Sequence, residues 1–172
     1  QCAKIEFQCI PAVGSMEVGG VSLLKDQWID VTSSVEKERD IYLEKVRPYF
    51  PATQPGLFSD VKEETNYNSP LAIKAALKRI TGKDYFDVTE GVLKPLALEI
   101  PFVDWLLNYR HLEKISNAYG EGFISKINPK TGRIHPQYSQ LSSSSGRMSC
   151  FKPNLQQIPK RFGFRDCIVP AP

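Results

Sequence analysis

One amphipathic stretch constrains the fold of this chain more than any other feature. From about Pro101 to Tyr119, apolar side chains recur at intervals of three and four residues, and Gly120 follows as a helix stop. These positions predict the longest helix of the chain, with an apolar face that must be covered by other elements. The residues of that face are Phe102, Trp105, Leu106, Tyr109, Leu112 and Ile115.

Shorter helical segments precede it. Pro70 follows the capping type Ser69, and Gly82 ends the pattern, so a helix is predicted between them. Its expected buried side chains are Leu71, Ala75, Leu77 and Ile80. A second short helix is expected after Thr89, with a break at or near Pro95.

The first fifty residues contain two further helical signals. An apolar helix broken at Gly19 and Gly20 is expected to lead into a short extended piece. A second helix is expected to start near Thr32, Ser33 and Ser34, which are N-cap types, and to end at Pro48.

The pattern changes after Gly122. Residues 123–135 predict a β-hairpin whose turn contains Asn128, Pro129 and Gly132, and little periodicity follows Pro136. The expected fold class is therefore α+β, mainly α, with long helices followed by a small β-hairpin and an irregular segment.

Composition excludes several function classes. The chain has 172 residues, of which 41% are hydrophobic, so it can bury a core. No apolar run approaches the roughly 18 residues of a membrane span, and no phosphate-binding glycine loop or paired zinc-ligand spacing occurs. The cysteines are scattered and are expected to be reduced; they are Cys2, Cys9, Cys150 and Cys167.

Charge is distributed unevenly along the chain. Residues 1–100 carry 12 basic and 15 acidic side chains, whereas residues 101–172 carry 10 basic and 4 acidic ones. Arg110 and Lys114 lie four residues apart and project from one face of the long helix. A basic C-terminal portion suits a polyanionic partner, although uneven surface charge alone is common.

The most distinctive motifs lie between residues 131 and 161. They are Thr131-Gly132-Arg133-Ile134-His135, Tyr138-x-Gln140, Ser145-Gly146-Arg147-Met148-Ser149, Pro153-Asn154-Leu155-Gln156-Gln157-Ile158-Pro159, and Arg161. In order and spacing this series resembles the segment that opens the palm of the family A DNA polymerases. The resemblance extends upstream to residues 108–119, to NYNSP at 66–70 and to the opening IPAVGSMEVGG. Ser145, Met148 and Gln157 depart from the family pattern.

The resemblance implies a division of the chain. Residues 1–28 would be a junction with an exonuclease-like domain, 29–119 a helical thumb, and 120–172 the first segment of the palm. The chain would end before the catalytic aspartate strand, so it is expected to hold no catalytic or metal-binding residue. The Mg²⁺ of the parent enzyme would bind outside it.

The resemblance also assigns roles to particular residues. Those expected to bind DNA are Arg110, Lys114, Arg147, Asn154, Gln156 and Gln157, and Arg161 would lie close to the phosphates of the incoming nucleotide. His135 is expected to be structural. The implied partners are primer-template DNA and the remaining palm and fingers of the polymerase, without a membrane, in the cytoplasm of a bacterium or a phage-infected cell.

Three functions therefore stay open at the level of sequence. The chain is expected to be a fragment of a DNA-directed DNA polymerase that is inactive alone. It could instead be a free-standing module that binds duplex DNA independently of sequence, or a structural remnant without independent function.

Overall fold

The computed structural model describes residues 2–50, 65–140, 142 and 146–170. These residues form a mainly helical α+β structure with small antiparallel sheets, which confirms the expected fold class. The α-helices are α1 (Cys2–Gly19), α2 (Lys25–Val46), α3 (Pro70–Thr81), α4 (Glu90–Leu96), α5 (Pro101–Tyr119) and α6 (Glu121–Ile124). The strands are β1 (Val21–Leu23), β2 (Arg133–Ile134), β3 (Gln137–Ser139), β4 (Ser149–Phe151) and β5 (Ile168–Val169).

The chain divides into two compact units. One contains residues 36–114, and the other contains residues 1–35 together with 115–172. The boundaries fall within α2 and α5. Each unit has its own buried apolar side chains.

The unit of residues 36–114 is built around one apolar cluster. Leu106 on α5, Leu77 on α3 and Leu93 on α4 are fully buried in it. Phe102, Tyr109 and Leu112 are also buried, so the predicted apolar face of α5 is confirmed. Burial of this face, rather than helix propensity, is what stabilises such helices.

The other unit contains both sheets. Strand β1 lies between β2 and β5, with antiparallel pairing on both sides, and β3 pairs antiparallel with β4. Trp28 of α2 is fully buried in the same unit. Its indole ring stacks on Phe123 and meets Phe164 edge-on. Its Nε1 donates a hydrogen bond of 2.8 Å to the carbonyl oxygen of Tyr119.

The predicted start of α2 is wrong. The helix begins at Lys25, directly after β1, and with 22 residues it is longer than α5 with its 19. Thr32 lies inside the helix, and its hydroxyl donates to the carbonyl oxygens of Trp28 and Tyr119. A hydroxyl side chain can bond a carbonyl inside a helix as well as an amide at its start, which explains the misplacement.

The predicted hairpin over residues 123–135 is also wrong. Its turn is present, because the amide of Gly132 donates to the carbonyl of Asn128, but Phe123 and Ile124 belong to α6. Arg133 and Ile134 pair with β1 instead. The small antiparallel ladder of this region is formed by β3 and β4.

Helix α3 has the predicted bounds, but of the four side chains predicted to be buried only Leu77 is buried. Ile73, Ala76 and Leu77 are buried, whereas Leu71 is 79% exposed. Ala75 and Ile80 are exposed too. Helix α4 contains Pro95 in its last turn, as expected of a helix that ends at Leu96.

Two further findings concern composition. Cys9, Cys150 and Cys167 are free thiols, and the side chain of Cys2 lies outside the described part. No helix in the described ranges is both long and apolar enough to cross a membrane.

Candidate nucleic-acid interface

Gly19 and Gly20, at the end of α1, contact the Thr131–His135 motif that contains β2. Gly20 has a positive φ of 62°, and a Cβ atom there would lie 2.7 Å from the carbonyl oxygen of Ile134. Arg133 donates to the carbonyl of Gly19 at 3.1 Å. Only glycine combines this backbone conformation with so close an approach.

Glu17 extends these contacts to β3. Its side-chain Oε1 accepts the backbone N–H of Tyr138 at 2.7 Å, and its carbonyl oxygen lies 2.9 Å from Nδ1 of His135. The other ring nitrogen of His135 lies 2.7 Å from Oγ1 of Thr131. Both nitrogens of His135 are thus engaged within the protein, which supports a structural role.

The β3–β4 ladder carries the next motif. Tyr138 lies opposite Cys150, and burial, with the Cys150 thiol beside it, raises the pKa of Tyr138. The Cys150 thiol donates to the carbonyl of Pro153 at 3.4 Å and accepts the amide of Leu155 at the same distance. The chain after β4 is therefore fixed to the strand by a buried side chain.

Residues 146–161, which we term the donor loop, are held by hydrogen bonds within the loop. The Asn154 side-chain oxygen accepts the Gln156 amide at 3.0 Å, and Gln156 Nε2 donates to the Met148 carbonyl at 3.1 Å. Ile158 is buried. Arg147, Gln156 and Gln157 are exposed and Asn154 is half-buried, so a fixed backbone presents several hydrogen-bond donors.

Arg161 closes the donor loop. Its guanidinium lies over the ring of Phe162, 4.6 Å from the centroid, and its side chain is exposed. Phe162 and Gly163 both have positive φ. Arg165 then donates from Nε to the carbonyl of Ile158 at 3.0 Å, which ties the following turn back to the loop.

Arg110 and Lys114 lie on α5 in the unit of residues 36–114. Arg110 is half-buried and Lys114 is exposed. Both contribute to lowering the pKa of Glu90 on α4, although the hydrogen bond and ion pair from Lys94 have the larger effect. Among the described residues the ion-pair partner of Glu90 is Lys94, not Arg110 or Lys114.

A polar network of Asn68, Tyr109 and Glu113 involves the same helix and was not expected from sequence. Glu113 of α5 accepts hydrogen bonds from Tyr109, at 2.6 Å, and from the side chain of Asn68. Burial, followed by the Glu113 hydrogen bond, raises the pKa of Tyr109. Glu113 thus joins the segment before α3 to α5, and its position four residues after Tyr109 is the only sequence signal for the contact.

No metal centre is formed by the described residues. In the ranges given above, no three His, Cys, Asp or Glu side chains lie close enough together to hold a metal ion. Asp87 instead caps its own loop, and the hydrogen bond from Thr89 lowers the pKa of its carboxyl group.

Comparison with known proteins agrees with the motifs. Residues 52–172 match the family model described as DNA polymerase family A. The chain is 32% identical over 134 residues to DNA polymerase I of Geobacillus stearothermophilus, covering 70% of this chain and 15% of that protein. It is 41% identical over 76 residues to DNA polymerase I of Chloroflexus aurantiacus, covering 44% and 8%. This chain therefore spans a small part of these relatives.

A solved structure shares the fold. The POL domain of Pol1 from M. smegmatis, in complex with DNA primer-template and dNTP, superposes with a TM-score of 0.73 over 95% of this chain and 29% of that one, at 22% identity. The chain belongs to DNA polymerase family A.

Proposed function

We propose that this chain is the part of a DNA-directed DNA polymerase that holds primer-template DNA during nucleotide addition. The observation that carries the proposal is the donor loop, whose backbone is fixed while Arg147, Gln156 and Gln157 are exposed. In this assignment residues 29–119 are the thumb, which contains the compact unit 36–114, and 120–172 begin the palm. Residues 1–28 form the junction.

The chemistry of the donor loop fits a minor groove. Every base pair presents purine N3 or pyrimidine O2 acceptors there, so donors can contact any sequence in the same way. We assign this contact to Arg147, Asn154, Gln156 and Gln157. Gln156 already donates to Met148, which holds its amide in one orientation before DNA binds.

Phosphate contacts would supply position and affinity rather than sequence preference. We assign the DNA backbone to Arg110 and Lys114, and the phosphates of the incoming nucleotide to Arg161. The Phe162 ring beneath the Arg161 guanidinium limits the conformations of that side chain.

The metal ions of the reaction are assigned outside this chain. In the described ranges no three His, Cys, Asp or Glu side chains lie close enough together to hold a metal ion. The remaining palm and fingers would complete the site, and a cytoplasmic location stays a prediction.

The test is binding of a fluorescent primer-template by the purified chain, measured by anisotropy from about 50 to 200 mM salt. We expect affinity that falls steeply with salt and is equal for primer-templates of different sequence. Arg147→Ala should weaken binding of every primer-template alike by roughly 1.5–3 kcal/mol, the range for hydrogen bonds to a charged group.

Arg47→Ala is the matched control, because Arg47 is an exposed arginine whose ion pair with Glu44 is superficial. It removes the same charge and should leave binding nearly unchanged. Equal losses in the two variants would contradict the donor-loop assignment. Nucleotide incorporation by the purified chain would contradict the assignment of the catalytic carboxylates to the remaining palm.

A further inference from the structure

Lys152 has a backbone conformation that is unusual for its residue type. Its φ is 53°, in the left-handed region that glycine adopts readily and lysine does not. It follows β4 directly and precedes the buried Pro153. Such conformations persist only where the surrounding structure imposes them, and they concentrate at functional sites.

The contacts that impose this conformation lie on both sides of Lys152. Cys150 is paired to β3 and also bonds the carbonyl of Pro153 and the amide of Leu155. The lysine is thus held between two fixed points. Nothing in these contacts uses the side chain, which is exposed and forms no ion pair with a described acidic residue.

The surroundings of Lys152 favour an anionic ligand. Residues 147–161 contain Arg147, Lys152, Lys160 and Arg161 but no acidic side chain. The preceding residue, Phe151, is 40% exposed, so this basic stretch also contains an exposed aromatic side chain. Basic side chains with an exposed aromatic between them are the composition expected of a nucleic-acid surface.

We propose that the ammonium group of Lys152 binds a backbone phosphate of the DNA whose minor groove the donor loop contacts. This inference rests on the proposed function and adds a residue to it. A phosphate is the expected partner because lysine is a flexible point charge, suited to phosphate oxygens rather than to discriminating base edges. The left-handed turn sets the direction in which the side chain leaves the loop.

The test uses Lys152→Gly in the full chain. Glycine relieves the unfavourable φ, so the thermal midpoint should hold or rise while the charge is lost. DNA affinity should fall. The negative slope of log K against log salt should become shallower by about one, as expected for the loss of one phosphate contact. Lys152→Arg should keep the slope.

Lys130→Gly is the matched control, since Lys130 is an exposed lysine of the same unit in the turn before β2. It removes the same charge and should leave the slope unchanged. If the unaltered chain binds DNA but Lys152→Gly keeps its slope, the inference is overturned and the proposed function survives. If the unaltered chain does not bind DNA at low salt, both are overturned.

Discussion

Gly20 shows how a single residue fixes the relation between two distant motifs. It lies between α1 and β1, and the Ile134 carbonyl and the His135 ring pack where a side chain would be. Two distant motifs therefore form one structural feature: Met16 to Gly20 at the end of α1, and Thr131 to His135 around β2. Their separation of more than one hundred residues hides this from any local pattern.

The first prediction compares two glycines with positive φ. Gly20→Ala should destabilise the protein by about 3 kcal/mol, because it adds both an unfavourable φ and a steric clash. Gly82→Ala has a similar φ, 70°, but no atom within 4 Å of the new Cβ, and should cost about 1 kcal/mol. Urea unfolding at pH 7 measures both. Equal costs would mean that the close approach at Gly20 relaxes without penalty.

Lys152 and Arg147 show, for single residues, a limit of what sequence motifs can identify. Arg147 belongs to one of the sequence motifs, whereas Lys152 lies between two of them. Its φ of 53° became visible only in the structure, because a backbone angle imposed by neighbouring contacts leaves no signature in residue type.

Among the elements, α5 was predicted best. Its bounds and its buried face follow from helical periodicity, which is a local property. The polar network of Tyr109, Glu113 and Asn68 was not predicted, since it needs the segment before α3 to lie against α5.

This network gives a prediction for alkaline pH. The pKa of Tyr109 is raised in the folded protein, so the unfolded chain loses its phenolic proton first as pH rises through about 10. The free energy of unfolding that this raised pKa contributes is therefore full below about pH 10 and is lost progressively as pH rises above it. Tyr109→Phe should remove part of this loss, as measured by urea unfolding at pH 8 and 10.5.

The comparison is made as a difference between the two proteins, so the titration of other groups cancels. Tyr119 also has a pKa raised by burial and stays in both. An identical loss of stability in the unaltered chain and in Tyr109→Phe would argue against the network.

The failed hairpin illustrates why strand partners are difficult to predict. The turn residues Asn128, Pro129 and Gly132 predict a hairpin, but Phe123 belongs to a short helix and packs on Trp28. Burial of an aromatic ring against a tryptophan outweighed a local β preference, which depends strongly on context.

At the scale of the whole molecule, the uneven charge of the chain makes its own prediction. Lys160→Glu, in the basic C-terminal portion, should reduce affinity for primer-template DNA by at least roughly tenfold at 100 mM salt. Lys37→Glu, on α2, should have a much smaller effect although it changes the net charge equally. Both lysines are exposed. Similar losses in anisotropy titrations would mean that net charge alone drives binding.

Residue order alone was sufficient to predict the family, the mainly helical class, the bounds of α3 and α5, and the motifs of the donor loop. These depend on local periodicity, on helix stop signals and on words of sequence whose order is visible in the chain. The sequence also indicated which side chains of the donor loop carry hydrogen-bond donors.

Which segments contact one another became known from the folded structure. It placed β1 between β2 and β5, buried Trp28 against Phe123 and Phe164, and fixed the donor loop through the thiol of Cys150. Such contacts join residues far apart in sequence, and their free energy comes from burial and geometry that exist only once the chain has folded.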